Sequence, residues 1–187
     1  MYAQRYLSAI SAPNAHRLTM PTTKASRVIR ARQSDVWGLL SDVEHANRWN
    51  RAWSSIEFTS ALTHGVGTKF RARMAGSDEA YEFEICDWSA PERIAFCPIR
   101  EPFERYSITL DSHVFEVRSV SEEESEVSIT AHASASGLRG RFVALFFWAT
   151  HQEDGLNLAL DSIQAVFEPV LADDTGVELK PESSVED

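Results

Sequence analysis

Cysteine is scarce in this 187-residue chain, and it lacks the long apolar runs of membrane proteins. The two cysteines, Cys86 and Cys97, are too few for a disulfide framework and lack the spacing of a metal site. A reducing compartment, the cytoplasm, is therefore the simplest expectation. No apolar run approaches the roughly 18 residues that a membrane-spanning helix needs, which predicts no stable membrane insertion.

Positive charge is also in short supply. The chain has 18 Lys and Arg against 28 Asp and Glu, for a net charge of −10. An acidic protein repels phosphate backbones, so nucleic acid is not an expected partner. Hydrophobic residues make up 43% of the chain, which is ordinary for one soluble domain of this length.

Several signatures of catalysis and cofactor binding are absent. The chain has no Gly-x-Ser-x-Gly elbow, no Walker loop, no Gly-x-Gly-x-x-Gly and no Cys-x-His pair of a Rieske domain. Its six histidines show neither the HxH nor the HxxxH spacing of common zinc sites. The sequence therefore predicts no metal and no cofactor.

The two ends differ in charge from the middle. Residues 1–34 contain six bases and no acid, whereas residues 172–187 contain six acids and one base. We expect a flexible basic extension over residues 1–22, a single domain over residues 23–171 and a disordered acidic tail over residues 172–187. Residues 1–20 have two further interpretations, a transit peptide or an extension ahead of a natural start at Met20.

A period of two dominates the middle of the chain. In Lys69–Met74 and in Tyr81–Ile85, apolar residues alternate with charged ones. This alternation predicts an antiparallel sheet with one buried face and one solvated face. Further strands are predicted at residues 24–31, 93–97, 105–120 and 127–134.

Helical signals precede and follow these strands. Ser34 is predicted to cap a short helix over residues 35–40, and a second short helix is predicted at Val43–Trp49. From Arg139 to about Leu171, apolar residues recur at three- and four-residue steps, which predicts a helix of about 30 residues and roughly 45 Å. Its first half, Phe142–Ala149, is apolar all round, so its far side should meet the short helices, a ligand or a second subunit in a homodimer.

A group of motifs in the first third of the chain carries a family resemblance. Val28-Ile29-Arg30-Ala31 precedes residues 35–42, Trp49 follows Asp42 by seven residues, and Gly65-Val66-Gly67-Thr68 leads into a strand. With the order of elements, these motifs resemble the START-like, or SRPBCC, superfamily, and above all its polyketide cyclase/dehydrase and lipid-transport group. The likeness covers about residues 24–170.

The resemblance implies an α+β helix-grip (Bet v 1-like) fold. In that fold a curled antiparallel sheet wraps around a long C-terminal helix, two short helices lie between strands 1 and 2, and a deep apolar cavity remains inside. The resemblance implies no particular chemistry, because this fold carries many functions.

The leading hypothesis is a protein that binds a hydrophobic small molecule, such as a lipid, a polyketide or an isoprenoid, in that cavity. The expected ligand-binding residues lie on the apolar side of their strands or on the apolar stripe of the long helix. They are Phe70, Met74, Tyr81, Phe83, Ile94, Phe96, Phe115 and Trp148.

The alternative is an enzyme of the polyketide cyclase or dehydratase type. His113 shares its strand phase with Phe115 and Val117, so it is a candidate interior acid or base, and Tyr81 is a second candidate. The simpler explanations of His113 are a core histidine bonded to a neighbour, or an outward-facing residue if the strand bulges. A second alternative is a non-catalytic protein-interaction module. An enzyme should bring two titratable groups together in the cavity, whereas a carrier should have a nearly uniform apolar wall.

Two sets of residues are explained by packing or by ion pairing, without any contact to a ligand. Trp37 and Trp49 are expected to fix the short helices to the sheet. Arg71 and Arg73 are expected to form exposed ion pairs across strands with the glutamates Glu82 and Glu84, each pair contributing under about 1 kcal/mol.

Overall fold

An antiparallel sheet of eight strands forms the body of the protein in a computed structural model that describes residues 18–19, 22–99, 108–135 and 149–168. The strands are β1 (Leu18–Thr19), β2 (Thr23–Ile29), β3 (Trp53–Phe58), β4 (Lys69–Met74), β5 (Ala80–Ser89), β6 (Arg93–Pro98), β7 (Ile108–Ser119) and β8 (Ser125–Ala135). The helices are α1 (Gln33–Ser41), a 3₁₀ helix (Val43–Arg48) and α2 (Ala149–Phe167).

The sheet is a meander of β3 to β8, and the first two strands of the chain are added at its β8 edge. β3 to β8 lie side by side in chain order, and β8 also pairs with β1 and β2. α2 packs against β2, β8 and the 3₁₀ helix, so the sheet curls around it. The predicted α+β helix-grip fold, with two short helices between its first long strand and the next, is confirmed.

Strand β4 shows why the period of two gives this sheet. Phe70 and Ala72 are fully buried, while Lys69, Arg71 and Arg73 face solvent. Arg71 lies 2.7 Å from Glu82 across the β4–β5 pair, which confirms that predicted exposed ion pair. Arg73 lies opposite Ala80 in the register and not opposite a glutamate.

The predicted cap of the first helix is wrong. Helix α1 begins at Gln33, Arg32 occupies the N-cap position without a side-chain hydrogen bond, and the Ser34 hydroxyl lies 3.2 Å from Asp35 instead. The Gln33 amide donates a hydrogen bond of 2.9 Å to the Val117 carbonyl on β7, which ties the first residue of the helix to the sheet.

The ends of the predicted domain differ from expectation in one detail. Leu18–Thr19, which the sequence placed in the extension, form β1 and pair with Ser134 and Ala135 of β8. In α2, Leu156, Leu160 and Ile163 are buried, as the predicted helical stripe requires. Phe142–Trp148 and the predicted acidic tail lie outside the described residues. No described helix is both long and apolar enough to cross a membrane.

The two cysteines are bonded to each other, which corrects the expectation drawn from their number. Cys86 is the extra residue of a bulge in β5, where Ile85 pairs with Phe96 and Asp87 pairs with Ala95. The bulge brings Cys86 beside Cys97 on β6 with their Cα atoms 5.9 Å apart, within the range of a disulfide. A count of cysteines cannot reveal such a pairing, because it depends on strand register.

Candidate functional site

Six aromatic rings form a continuous group on the inner face of the sheet, and we call it the aromatic cluster. Its members come from the segment after the 3₁₀ helix and from β3 to β7: Trp49, Trp53, Phe70, Phe83, Phe96 and Phe115. Ring centroids lie 5.2 Å apart for Trp49 and Phe115, and 5.5 Å apart for Phe96 and Phe115. Each such pair adds about 0.5–1.5 kcal/mol to the free energy gained from burial.

The predicted ligand-binding residues fall into three groups. Five are buried on the inner face and belong to the core: Phe70, Phe83, Ile94, Phe96 and Phe115. Met74 and Tyr81 are partly buried and pack against that core. Trp148 lies outside the described residues. The inner face of the described sheet therefore carries mainly apolar rings that pack against one another in the core.

The two tryptophans of the short helices pack as expected. Trp49 is fully buried, and its ring contacts Trp53, Phe96 and Phe115. Trp37 is partly buried and meets Trp88 of β5 edge to face at 5.2 Å. Trp53, the first residue of β3, also contacts Phe70 and Phe83, and so it joins the predicted ligand-binding residues into one group.

His113 lies on the same inner face. On β7 it pairs with Phe96 of β6 and with Ala131 of β8, and it shares the side of the sheet that holds Phe115. Its Nε2 atom is buried and has no hydrogen-bond partner among the described residues. Burial lowers the pKa of His113 to about 4, and a hydrogen bond with Gln152 of α2 acts in the opposite direction. The imidazole is therefore neutral near pH 7.

A second polar atom is left without a partner in the same region. The indole Nε1 of Trp49 is buried and has no hydrogen-bond partner within the described part of the chain. The Trp49 ring contacts Phe96, which stands opposite His113 in the register. An unpaired buried polar group costs about 1–3 kcal/mol, so both atoms would gain from a ligand that offers hydrogen-bonding oxygen.

Tyr81 does not join this group. Its hydroxyl donates a 2.9 Å hydrogen bond to Glu79 at the β4–β5 turn. Burial raises the pKa of Tyr81, and the hydrogen bond to Glu79 raises it further by a smaller amount. Phe96 of β6 pairs with Ile85 of β5 on one side and with His113 of β7 on the other. Tyr81 therefore lies two strands away from His113 and four residues along β5 from Ile85. At about 3.3 Å per residue and 4.8 Å per strand, this places their Cα atoms roughly 16 Å apart. The structure does not bring the two predicted catalytic residues together.

Gln152 is a site residue that the sequence reasoning missed. It lies one helical turn before Leu156 and two turns before Leu160, on the face of α2 that is buried against the sheet. Its spacing of four residues from Leu156 places this polar residue on the predicted apolar stripe, and that is the signal that could have found it. Within the described residues, His, Cys, Asp and Glu side chains form no group of three that could hold a metal ion.

Comparison with known proteins agrees with this architecture. The family model described as polyketide cyclase/dehydrase and lipid transport matches residues 20–168. The chain belongs to this family. The family resemblance read from the sequence is thereby confirmed. A search among curated proteins found no match.

Solved structures give the fold of the family at low sequence identity. Norcoclaurine synthase from Thalictrum flavum is 13% identical with a TM-score of 0.64, and the match covers 81% of this chain and 94% of that one. The Zhui aromatase/cyclase from a Streptomyces species is 13% identical with a TM-score of 0.61, covering 78% and 92%. A solution structure from Thermobifida fusca is 22% identical with a TM-score of 0.64, covering 79% and 93%. Such likeness shows the fold and does not transfer an activity.

Proposed function

We propose that this protein binds a hydrophobic small molecule of the lipid, polyketide or isoprenoid class between the inner face of the sheet and α2. The observation that carries the proposal is the buried Nε2 of His113, which has no described partner and lies on the face that holds the aromatic cluster. The apolar rings supply a surface for the body of the ligand. The imidazole and the Trp49 indole supply hydrogen bonds to one polar group on it.

These contacts define the kind of ligand that fits best. Aromatic rings pack favourably on other rings and on flat apolar groups. The Trp49 indole can only donate, whereas a neutral imidazole donates from one nitrogen and accepts at the other. A ring-bearing molecule with one carbonyl or hydroxyl oxygen satisfies both.

Binding can be tested with a fluorescent apolar dye and a matched pair of competitors. We expect the dye to bind with micromolar-order affinity, roughly −8 kcal/mol. 2-Naphthol should displace it at roughly 3- to 10-fold lower concentration than naphthalene, because one net hydrogen bond contributes about 0.5–1.5 kcal/mol. His113→Leu should reduce this preference, because only the Trp49 indole then remains to bond the hydroxyl, and it should leave naphthalene displacement unchanged.

Two further variants separate the interior from the surface. Phe83→Leu removes a ring of the aromatic cluster while keeping an apolar side chain, and it should weaken dye binding. Val120→Ala at the exposed β7–β8 turn should leave it unchanged. Dye binding that responds equally to both variants, or the same competitor ratio in His113→Leu, would contradict an interior site.

A cyclase or dehydratase activity is the second candidate, and His113 is the observation that favours it. A desolvated neutral imidazole can accept a proton from a carbon acid held beside it. Its low pKa weakens that case, because a general base works best with a pKa near the operating pH. If a poly-β-ketone substrate turns over, His113→Gln should lower turnover at least about 100-fold and leave affinity within a few-fold.

The compartment and the oligomeric state remain predictions. The bonded pair Cys86 and Cys97 removes the argument for the cytoplasm that rested on the cysteine count. The predicted homodimer contact on residues 142–149 falls largely outside the described residues.

A further inference from the structure

The disulfide between Cys86 and Cys97 lies on the outer face of the sheet and is open to solvent. Cys86 is exposed and Cys97 is half-buried. Two acidic residues stand close by, Glu84 opposite Cys97 in the register and Asp87 next to Cys86 in the chain. Lys69 lies 3.7 Å from Glu84, and Arg93 lies 3.0 Å from Asp87, so both acids are ion-paired. An anionic thiol can therefore reach the sulfur atoms without meeting an unpaired carboxylate.

The backbone around the disulfide also supports the interior. Ile85 and Phe96 are the chain neighbours of Cys86 and Cys97, they pair directly with each other, and both are fully buried on the inner face. Phe96 contacts the rings of Trp49, Trp53, Phe70 and Phe115. The bulge at Cys86 interrupts the regular ladder at this point, so the covalent bond replaces backbone pairing that the bulge removes.

We propose that Cys86 is a thiol-exchange site for low-molecular-weight thiols of the glutathione class, and that opening the disulfide loosens the β5–β6 pair beneath the aromatic cluster. A thiolate attacks the Sγ atom of Cys86, the more exposed residue, the bond to Cys97 breaks, and Cys97 leaves as a thiolate. A second small thiolate then attacks the small thiol's sulfur in the mixed disulfide, which releases the oxidised thiol and leaves Cys86 as a thiolate. Two electrons pass from the two small thiols to the protein, and the oxidised thiol reverses the sequence.

The first experiment measures the exchange itself on the full chain. After equilibration with oxidised glutathione, a maleimide should add to neither cysteine, and after reduced glutathione it should add to both, as read by intact mass. In Cys97→Ser, Cys86 should form a glutathione adduct several-fold faster than Cys97 does in Cys86→Ser, because Cys86 is the more exposed of the two residues. Two maleimide adducts after the oxidised treatment, or equal adduct rates in the two variants, would overturn the site.

The second experiment measures the structural consequence. Reduction should speed hydrogen exchange at the Glu84 and Cys97 amides, which pair across β5 and β6, and lower the melting temperature by about 5–10 °C, the usual size for a short disulfide-closed loop. The matched control is the double variant Cys86→Ser with Cys97→Ser. Its amide exchange and melting temperature should equal those of the reduced protein and should not change when the thiol is added. Unchanged amide exchange on reduction would refute the loosening. Neither experiment depends on whether the interior binds a ligand.

Discussion

Acid should destabilise this protein through His113, and the size of the effect follows from the burial of its ring. Burial lowers the pKa of His113 from its ordinary value of 6.5 to about 4 in the folded state. The unfolded chain therefore binds a proton below pH 6.5 that the folded protein does not bind until about pH 4. The stability that the neutral ring preserves is fully present above pH 6.5 and is lost as the pH falls toward 4. Linkage gives a loss of about 2 kcal/mol at pH 5 and about 3 kcal/mol at pH 4.

The variant His113→Gln isolates this contribution, because glutamine has a similar polarity and does not titrate. Urea unfolding at pH 7.5, 5 and 4 should show the wild type losing about 2 and then about 3 kcal/mol relative to the variant. His64→Gln serves as the control, because that ring is exposed in the β3–β4 loop, and it should follow the wild type at every pH. Parallel curves for the wild type and His113→Gln would show that His113 is not buried in the neutral form.

Two further substitutions contrast a buried hydrogen bond with an exposed ion pair. Ser125→Ala should lower the free energy of unfolding by about 1–3 kcal/mol, because the buried Ser125 hydroxyl donates a 2.8 Å hydrogen bond to the Ala31 carbonyl and its loss leaves that oxygen unpaired. Arg71→Ala should cost clearly less than Ser125→Ala despite the 2.7 Å contact with Glu82, because the Arg71 side chain is exposed and solvent screens the pair. Urea unfolding at pH 7.5 measures both, and equal losses would contradict the weight given to burial.

The sheet was predictable because its pattern is local and repeated. The alternation in Lys69–Met74 and in Tyr81–Ile85 needs only one polar and one apolar face, and the structure has both. The predicted cap was wrong because helix α1 begins at Gln33, which puts Ser34 inside the first turn, and the tertiary contact of Gln33 is absent from any local pattern. The Gln33 side-chain amide bonds to the Val117 carbonyl, which is 84 residues away in the chain, and this bond holds the first residue of the helix against the sheet.

The sequence was enough to predict on which side of the sheet the candidate site residues lie, but not which residues they contact. Strand phase placed His113 with Phe115 on the inner face, and the structure agrees. The partners across the interior depend on how α2 lies on the sheet, so Gln152 was missed. Tyr81 shares the favourable phase, but its position at the start of β5 puts its hydroxyl beside Glu79. Phase fixes the side of a sheet, whereas position along the strand fixes which groups can meet.

The pairing of β2 with β8 has a consequence for how the chain folds during synthesis. Strands β3 to β8 can pair with their chain neighbours as each one leaves the ribosome, but β2 has its ladder partner in the last strand. The buried bond that joins Ser125 to Ala31 spans 94 residues. Closing a loop of that length costs roughly 4 kcal/mol of chain entropy, against less than about 2 for a neighbouring hairpin. In a nascent chain, β2 therefore stays unpaired until translation has passed β8. Helix α2, which packs against β2 and β8, can dock only afterwards.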